Sequence, residues 1–237
     1  MLVLVSKMKN NKVLYIIIAI CILLVIGICI FLALNHKEEN LNDAQRFKKE
    51  FEQYNESIYE DVNEEVIDVE ISEDNPIVYK TGKEIVEIMD TENAYIFFGY
   101  ATCPYTRNAV ETLISVAKEE NIDTIYYVDI QNIRDEYKFN GSIVPELTKN
   151  GTDAYYEIVD LLKSRLSEYF VTDSSGNRYD TGVKRLNSPT FIAIKDREIL
   201  GFHEGLVTSV NDIYKKIDDD QKAELKNYYL EIINSIK

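Results

Sequence analysis

The stretch Phe97-Phe98-Gly99-Tyr100-Ala101-Thr102-Cys103-Pro104-Tyr105-Thr106-Arg107 decides how this chain is read. Ala94 to Tyr100 is a continuous apolar run, suited to a strand buried on both faces. It leads straight into Cys103-Pro104 at the mouth of a predicted helix, whose inner face carries Ala109, Val110, Leu113, Val116 and Ala117. The first-turn N–H groups and the helix dipole favour a negative sulfur at such a position. Redox sites of this build carry a second cysteine three residues on. Here that position is Thr106, so the stretch offers one activated thiol and no resolving partner.

Outward from this stretch the pattern is regular. Ile77-Val78-Tyr79 reads as a short strand, and Thr81-Gly82-Lys83-Glu84 as a capping box that starts a helix through about Met89. Thr124 to Ile130 is a second buried strand, which completes a βαβ unit. A long excursion follows, with a helical stripe at Tyr155, Ile158, Val159, Leu162, Leu166 and Tyr169 and a turn cluster at 173–177. The chain returns at Ser188-Pro189-Thr190-Phe191-Ile192-Ala193-Ile194, turns at Lys195-Asp196-Arg197 and runs back through Ile199 to Phe202 as a hairpin. Ser209 to Asp212 reads as a cap for the last helical region, with Leu225, Tyr228, Ile232, Ile233 and Ile236 as its apolar face.

A βαβ unit with Cys-Pro at the helix entry, a hairpin opening at X-Pro-Thr and a final helix together resemble a thioredoxin-like fold. Tyr-x-Phe-Phe-Gly before the cysteine and Cys-Pro-Tyr-x-Arg at it are similar to membrane-tethered thioredoxin-like proteins of Gram-positive bacteria, including the bacteriocin-transport-accessory type. The resemblance covers residues 76–237, with a helical insertion at about 132–186 before the cis-proline strand. It implies an α/β fold in which Pro189 is cis and faces Cys103. It also implies that Ser188 offers backbone hydrogen bonds to a bound peptide, with Pro104 and Tyr105 lining the same groove. Thr106 would support the thiolate one turn away. Phe97 departs from the pattern, because thioredoxins carry a buried Asp six residues before the first cysteine.

The N-terminal part points to a membrane. Val13 to Leu34 is an uncharged run of 22 residues, about 33 Å as a helix against a bilayer core of roughly 30 Å. Lys7, Lys9 and Lys12 precede it and no acid does. Residues 1–12 are therefore expected in the cytoplasm, 13–34 across the membrane, and the rest outside the cell. A cleaved signal peptide is the alternative, but the run is long for one and ends at Phe31-Leu32-Ala33-Leu34-Asn35, a poor cleavage site. Residues 35–75 read as an acidic linker with an amphipathic helix (Leu41, Ala44, Phe47, Phe51, Tyr54, Ile58) and an edge strand (Ile67, Val69, Ile71). That helix either packs on its own domain or binds a partner.

Charge and composition exclude several functions. Setting aside the three N-terminal lysines, the formal charge of −15 becomes −18, which disfavours nucleic acid and anionic lipid surfaces. Cys21 and Cys29 lie in the apolar run, so Cys103 has no disulfide partner in the external domain. No Cys/His cluster suggests metal and no Gly-rich loop suggests a nucleotide, so no cofactor is expected. His203 reads as a strand-end surface residue, and Asp129 as a turn-stabilising carboxylate near the site. Two functions stay open. One is thiol-disulfide exchange through Cys103, without a resolving cysteine, on exported proteins or peptides or on low-molecular-weight thiols. The other is a redox-inactive module that binds or escorts an exported peptide.

Overall fold

The structure is a computed structural model that describes residues 18, 22–26 and 41–237. Residues 42–237 form one compact unit. Its elements in chain order are α1 (Asp43–Glu52), β1 (Ile58–Tyr59), β2 (Glu64–Glu65), β3 (Ile77–Tyr79), α2 (Gly82–Thr91), β4 (Ala94–Gly99), α3 (Pro104–Glu119), β5 (Ile125–Asp129), β6 (Glu136–Lys138), β7 (Glu146–Lys149), α4 (Asp153–Leu162), β8 (Glu168–Thr172), β9 (Arg178–Lys184), β10 (Thr190–Lys195), β11 (Glu198–Glu204) and α5 (Asp219–Asn234).

The fold is mixed α/β. Its central sheet has five strands in the order β11-β10-β4-β5-β3. β3, β5 and β4 run parallel, while β10 is antiparallel to both β4 and β11. The three strands expected from the apolar runs are thus neighbours. Side chains alternate across the sheet, as a strand period of two requires. Phe97, Tyr127 and Phe191 face a layer made by α1, α3 and α5. Ile96, Phe98, Val128 and Ile192 face α2 and α4. Burial on both faces explains why β4 reads as an unbroken apolar run.

Several boundaries differ from the sequence reading. The helical stripe to Tyr169 stops at Leu162, and Tyr169 lies on β8. The insertion is accordingly one helix between two β-ribbons, β6–β7 and β8–β9, rather than a helical segment. Its helix supplies Tyr155, Ile158 and Leu162 to the core beside α2. α5 starts later than Ser209 to Asp212 suggest, with Asp218 as N-cap and Gln221 completing the capping box. α1 ends at Glu52, which leaves Ile58 on β1 and exposed.

The expected edge strand at Ile67, Val69 and Ile71 is extended but joins no sheet. Side chains answer its backbone instead. Asn55 bonds both the N–H and the carbonyl of Val69, Glu52 accepts from Ile71 N–H, and Lys48 donates to the Ile71 carbonyl. Alternating burial therefore reports packing here and not pairing: Ile67, Val69 and Ile71 are all buried.

Residues 42–75 belong to the compact unit. Phe47 and Phe51 are fully buried, with ring centroids 4.4 Å apart, and Phe47 meets Tyr127 edge-on at 4.9 Å. Among the described residues no helix is long and apolar enough to cross a membrane. Within the 13–34 span residues 18 and 22–26 are described and helical, and the rest of the span lies outside the described residues.

Phe47→Ala should cost about 3–5 kcal/mol, the range for deleting a buried aromatic ring. Ile58→Ala on the exposed hairpin should stay within about 0.5 kcal/mol. Urea denaturation of both variants checks this, and equal midpoints would place α1 outside the cooperative unit.

Candidate functional site around Cys103

β4 delivers the chain to the site and α3 takes it away. Gly99 permits a tight exit, because a Cβ there would sit 2.8 Å from the Thr106 methyl group. Cys103 N–H donates to the Tyr100 carbonyl at 3.1 Å, and Cys103 is the N-cap of α3 with Pro104 in the first turn. No side chain caps this helix start. The dipole and the unanswered first-turn amides are therefore directed at the cysteine.

The second wall comes from the start of β10. The Ser188–Pro189 bond is cis. Cys103 Sγ donates to the Ser188 carbonyl at 3.6 Å. Thr106 Oγ1 and Ser188 Oγ lie 2.5 Å apart, and either can donate. The structure thus gathers Cys103, Pro104, Thr106, Ser188 and Pro189, while Tyr105 stands on the same turn and is 39% exposed. Thr106 is placed differently from the sequence expectation: its hydroxyl engages Ser188 and not the sulfur. Cys103 is a free cysteine with 3% of its surface exposed.

Three phenols surround the sulfur. Tyr59 is pushed up to about 12, by burial first; Arg107 opposes this and Cys103 adds to it. Tyr100 is raised by burial and then by the nearby Cys103. Tyr105 is raised by burial, then by Cys103 and Tyr214. Arg134 holds Tyr100 from the far side: its Nη2 donates to Tyr100 Oη at 3.1 Å, and its Cζ lies 4.8 Å over the ring. Phe97 is fully buried among apolar side chains, so no carboxylate stands behind the cysteine at that position. Asp129 accepts from Gln131 N–H at 2.8 Å, the turn-stabilising contact expected of it. His203 lies at the end of β11, the strand-end position read for it, but it is half-buried and stacked on Tyr228 at 4.5 Å, and burial lowers its pKa.

The sequence reading assigned no role to Arg107. It is 1% exposed. Nε donates to the Ile67 carbonyl at 2.6 Å, Nη1 to the Phe51 and Ala101 carbonyls at 2.8 and 2.9 Å, and Nη2 to Asn55 Oδ1 at 2.6 Å. A guanidinium brings five donors in a fixed fork, and four of its bonds here join three separate chain segments. Its position carried a usable signal. Residue 107 shares a helix face with Val110 and Ile114, so a charge there stands on an apolar stripe. Among the described residues no group of His, Cys, Asp and Glu side chains is placed to hold a metal ion.

No protein-family model matches the chain, and no curated protein or solved structure matches it at a significant level.

Arg107→Leu should lower stability by about 3 kcal/mol or more, since it leaves buried carbonyls unanswered. Arg107→Lys should recover only part of this, because one ammonium cannot span the fork. Urea midpoints measure both effects, and an unchanged midpoint for Arg107→Leu would remove the residue from this role.

Proposed function

We propose that this chain is a membrane-tethered, extracytoplasmic thioredoxin-like protein that performs monothiol thiol-disulfide exchange through Cys103. Its substrates would be exported proteins or peptides, or small thiols. The observation that carries this reading is the meeting of Cys103 Sγ with the Ser188 carbonyl, 3.6 Å away, at an uncapped helix N-terminus. The parallel βαβ unit, antiparallel hairpin and terminal helix are compatible with a thioredoxin-like arrangement. The apolar 13–34 run and its lysine flank support the tether.

The chemistry follows from the geometry. As a thiol, Cys103 donates to Ser188. Once deprotonated the sulfur becomes an acceptor, and the Arg134-held Tyr100 hydroxyl is available to donate to it. The thiolate attacks one sulfur of a substrate disulfide. A Cys103–substrate S–S bond forms, the substrate S–S bond breaks, and the second substrate sulfur leaves as a thiolate that takes a proton from solvent. With Thr106 in place of a resolving cysteine, the mixed disulfide persists until an outside thiol attacks it. That attack forms a new disulfide with the substrate and returns the Cys103 thiolate. Ser188 backbone groups and Tyr105 would dock the substrate chain.

The 3% exposure of Cys103 favours a second reading, a redox-inactive module that binds or escorts an exported peptide beside Ser188 and Pro189. The two separate cleanly. Under monothiol exchange, wild-type protein given a disulfide substrate accumulates covalent adducts that a small thiol releases. Thr106→Cys then raises dithiol turnover, and Cys103→Ser abolishes the adducts. Mass spectrometry of intact protein reads each result. Absence of adducts, together with no gain in Thr106→Cys, would leave the peptide-binding module as the reading to pursue.

Topology is tested independently. Protease added to intact cells should remove the 42–237 unit, and the recovered chain should retain its original N-terminus. Protection from protease, or a mature N-terminus near Asn35, would overturn the tether.

A further inference from the structure

The insertion between β5 and β10 encloses a cavity of about 360 Å³, at the small end of the usual range for ligand pockets. Tyr137, Tyr155, Tyr156 and Val159 line it, with β9 residues Gly182 and Val183 opposite. The rings of Tyr155 and Tyr156 meet at 63°, with centroids 5.7 Å apart. Asp135 also lines the cavity, although it is only 3% exposed.

Two of the polar atoms without partners here are acceptors, and Arg134 Nε and Arg185 Nε beside them are donors without one. Asp135 Oδ1 and Tyr155 Oη are buried without a hydrogen bond. The Tyr155 hydroxyl lies near enough to favour the charged Asp135, yet it closes no bond of normal geometry. Burial nevertheless raises the Asp135 carboxyl above its ordinary value, against the opposing pull of Arg185 and Arg134. Arg185 is engaged in part: its Cζ lies 4.0 Å over the Tyr169 ring and its Nη2 donates to the Asp135 backbone carbonyl, while its Nε closes no hydrogen bond to the Asp135 carboxylate. The nearby lysines are also engaged. Lys163 pairs with Asp160 at 3.9 Å. Lys184 pairs with Glu168 at 3.7 Å and donates to the Leu166 carbonyl.

A buried carboxylate with an unanswered oxygen is costly and calls for a donor. Aromatic faces around it attract positive charge. A primary ammonium satisfies both demands: it brings three N–H donors for two unpartnered acceptors, and its alkyl stem suits the tyrosine and valine walls. A quaternary ammonium would leave both oxygens unanswered. The domain's negative charge also concentrates cations at its surface.

We propose that this cavity binds an alkylammonium group, carried by a small amine or by a lysine side chain, with Asp135 as counter-ion and Tyr137, Tyr155 and Tyr156 as walls. The site does not depend on the reactivity of Cys103, and it stands or falls apart from the thiol chemistry.

Isothermal titration calorimetry on the full-length chain in detergent provides the test. The probes are n-butylammonium and a Gly-Lys-Gly peptide blocked at both ends. Their neutral counterparts are n-butanol and the same peptide with norleucine in place of lysine. At least one amine probe should bind saturably while its neutral counterpart does not. Binding of butylammonium alone assigns the site to free amines, and binding of the lysine peptide assigns it to polypeptide side chains. Asp135→Asn should weaken binding tenfold or more, and Val159→Trp, which fills the cavity from its wall, should abolish it. Should Asp135→Asn fail to fold, Val159→Trp and Tyr156→Ala carry the test, because Tyr156 is 39% exposed and its loss is tolerable. The proposal is overturned if neither amine saturates at millimolar concentration, if a neutral analogue binds equally well, or if the folded variants bind like wild type.

Discussion

The Arg107 guanidinium is buried beneath the loop that carries Cys103, and the arrangement of the site depends on it. It rises from the first turns of α3 and bonds the end of α1, the 55–67 segment and the 101 carbonyl together. Burial lowers its pKa, and Tyr59, Asp68 and Glu111 oppose that shift through space. A charge held in this way is expensive to move, because displacement would strand several carbonyls at once. Arg107 therefore fixes the N-terminal segment against α3, and it places a positive charge behind the residue at the helix mouth.

The segment that Arg107 anchors shows how an acidic stretch can fold without joining a sheet. Its backbone groups find side chains: Asn55 at Val69, Glu52 and Lys48 at Ile71, Glu111 at Glu70. Lys216 reaches in from the far end of the chain to Glu111 and to the Asp68 carbonyl. Answered in this way, the 66–72 stretch offers few free amides for another strand to pair with, although it is extended and apolar on one side. Glu52 and Glu111, two of the chain's many acids, serve here as acceptors for backbone amides.

How much was legible follows from which forces are local. The sheet strands were readable because burial on both faces forces unbroken apolar runs such as Ile96-Phe97-Phe98. α2 was readable because Thr81 and Glu84 cap each other within four residues. The Cys103–Pro189 neighbourhood was legible only through a family pattern, since nothing local in Ser188-Pro189 points across 85 residues of chain. The insertion misled because Leu166 is buried and continues the helical spacing of α4, whereas Tyr169 turns onto a ribbon held by Thr181 and Arg185. Arg107 and Asp135 escaped for a common reason. A charged residue reads as exposed until tertiary contacts bury it, and those contacts come from segments far away in sequence.

The insertion and the thiol share a boundary. Arg134 and Asp135 are adjacent in sequence but face opposite ways: Arg134 stacks on Tyr100 beside Cys103, and Asp135 lines the tyrosine-walled cavity. Arg185 closes the return path by donating to the Asp135 carbonyl three residues before Ser188. The wall between thiol and cavity is thus one β5–β6 connection tied at both ends by arginines. Neutralising Asp135 or occupying the cavity would change the field on Arg134, and Arg134 in turn holds the Tyr100 phenol beside Cys103. Under the proposed monothiol exchange, Thr106 supplies no resolving sulfur, so these neighbours and an outside thiol would govern how the sulfur reacts and is freed.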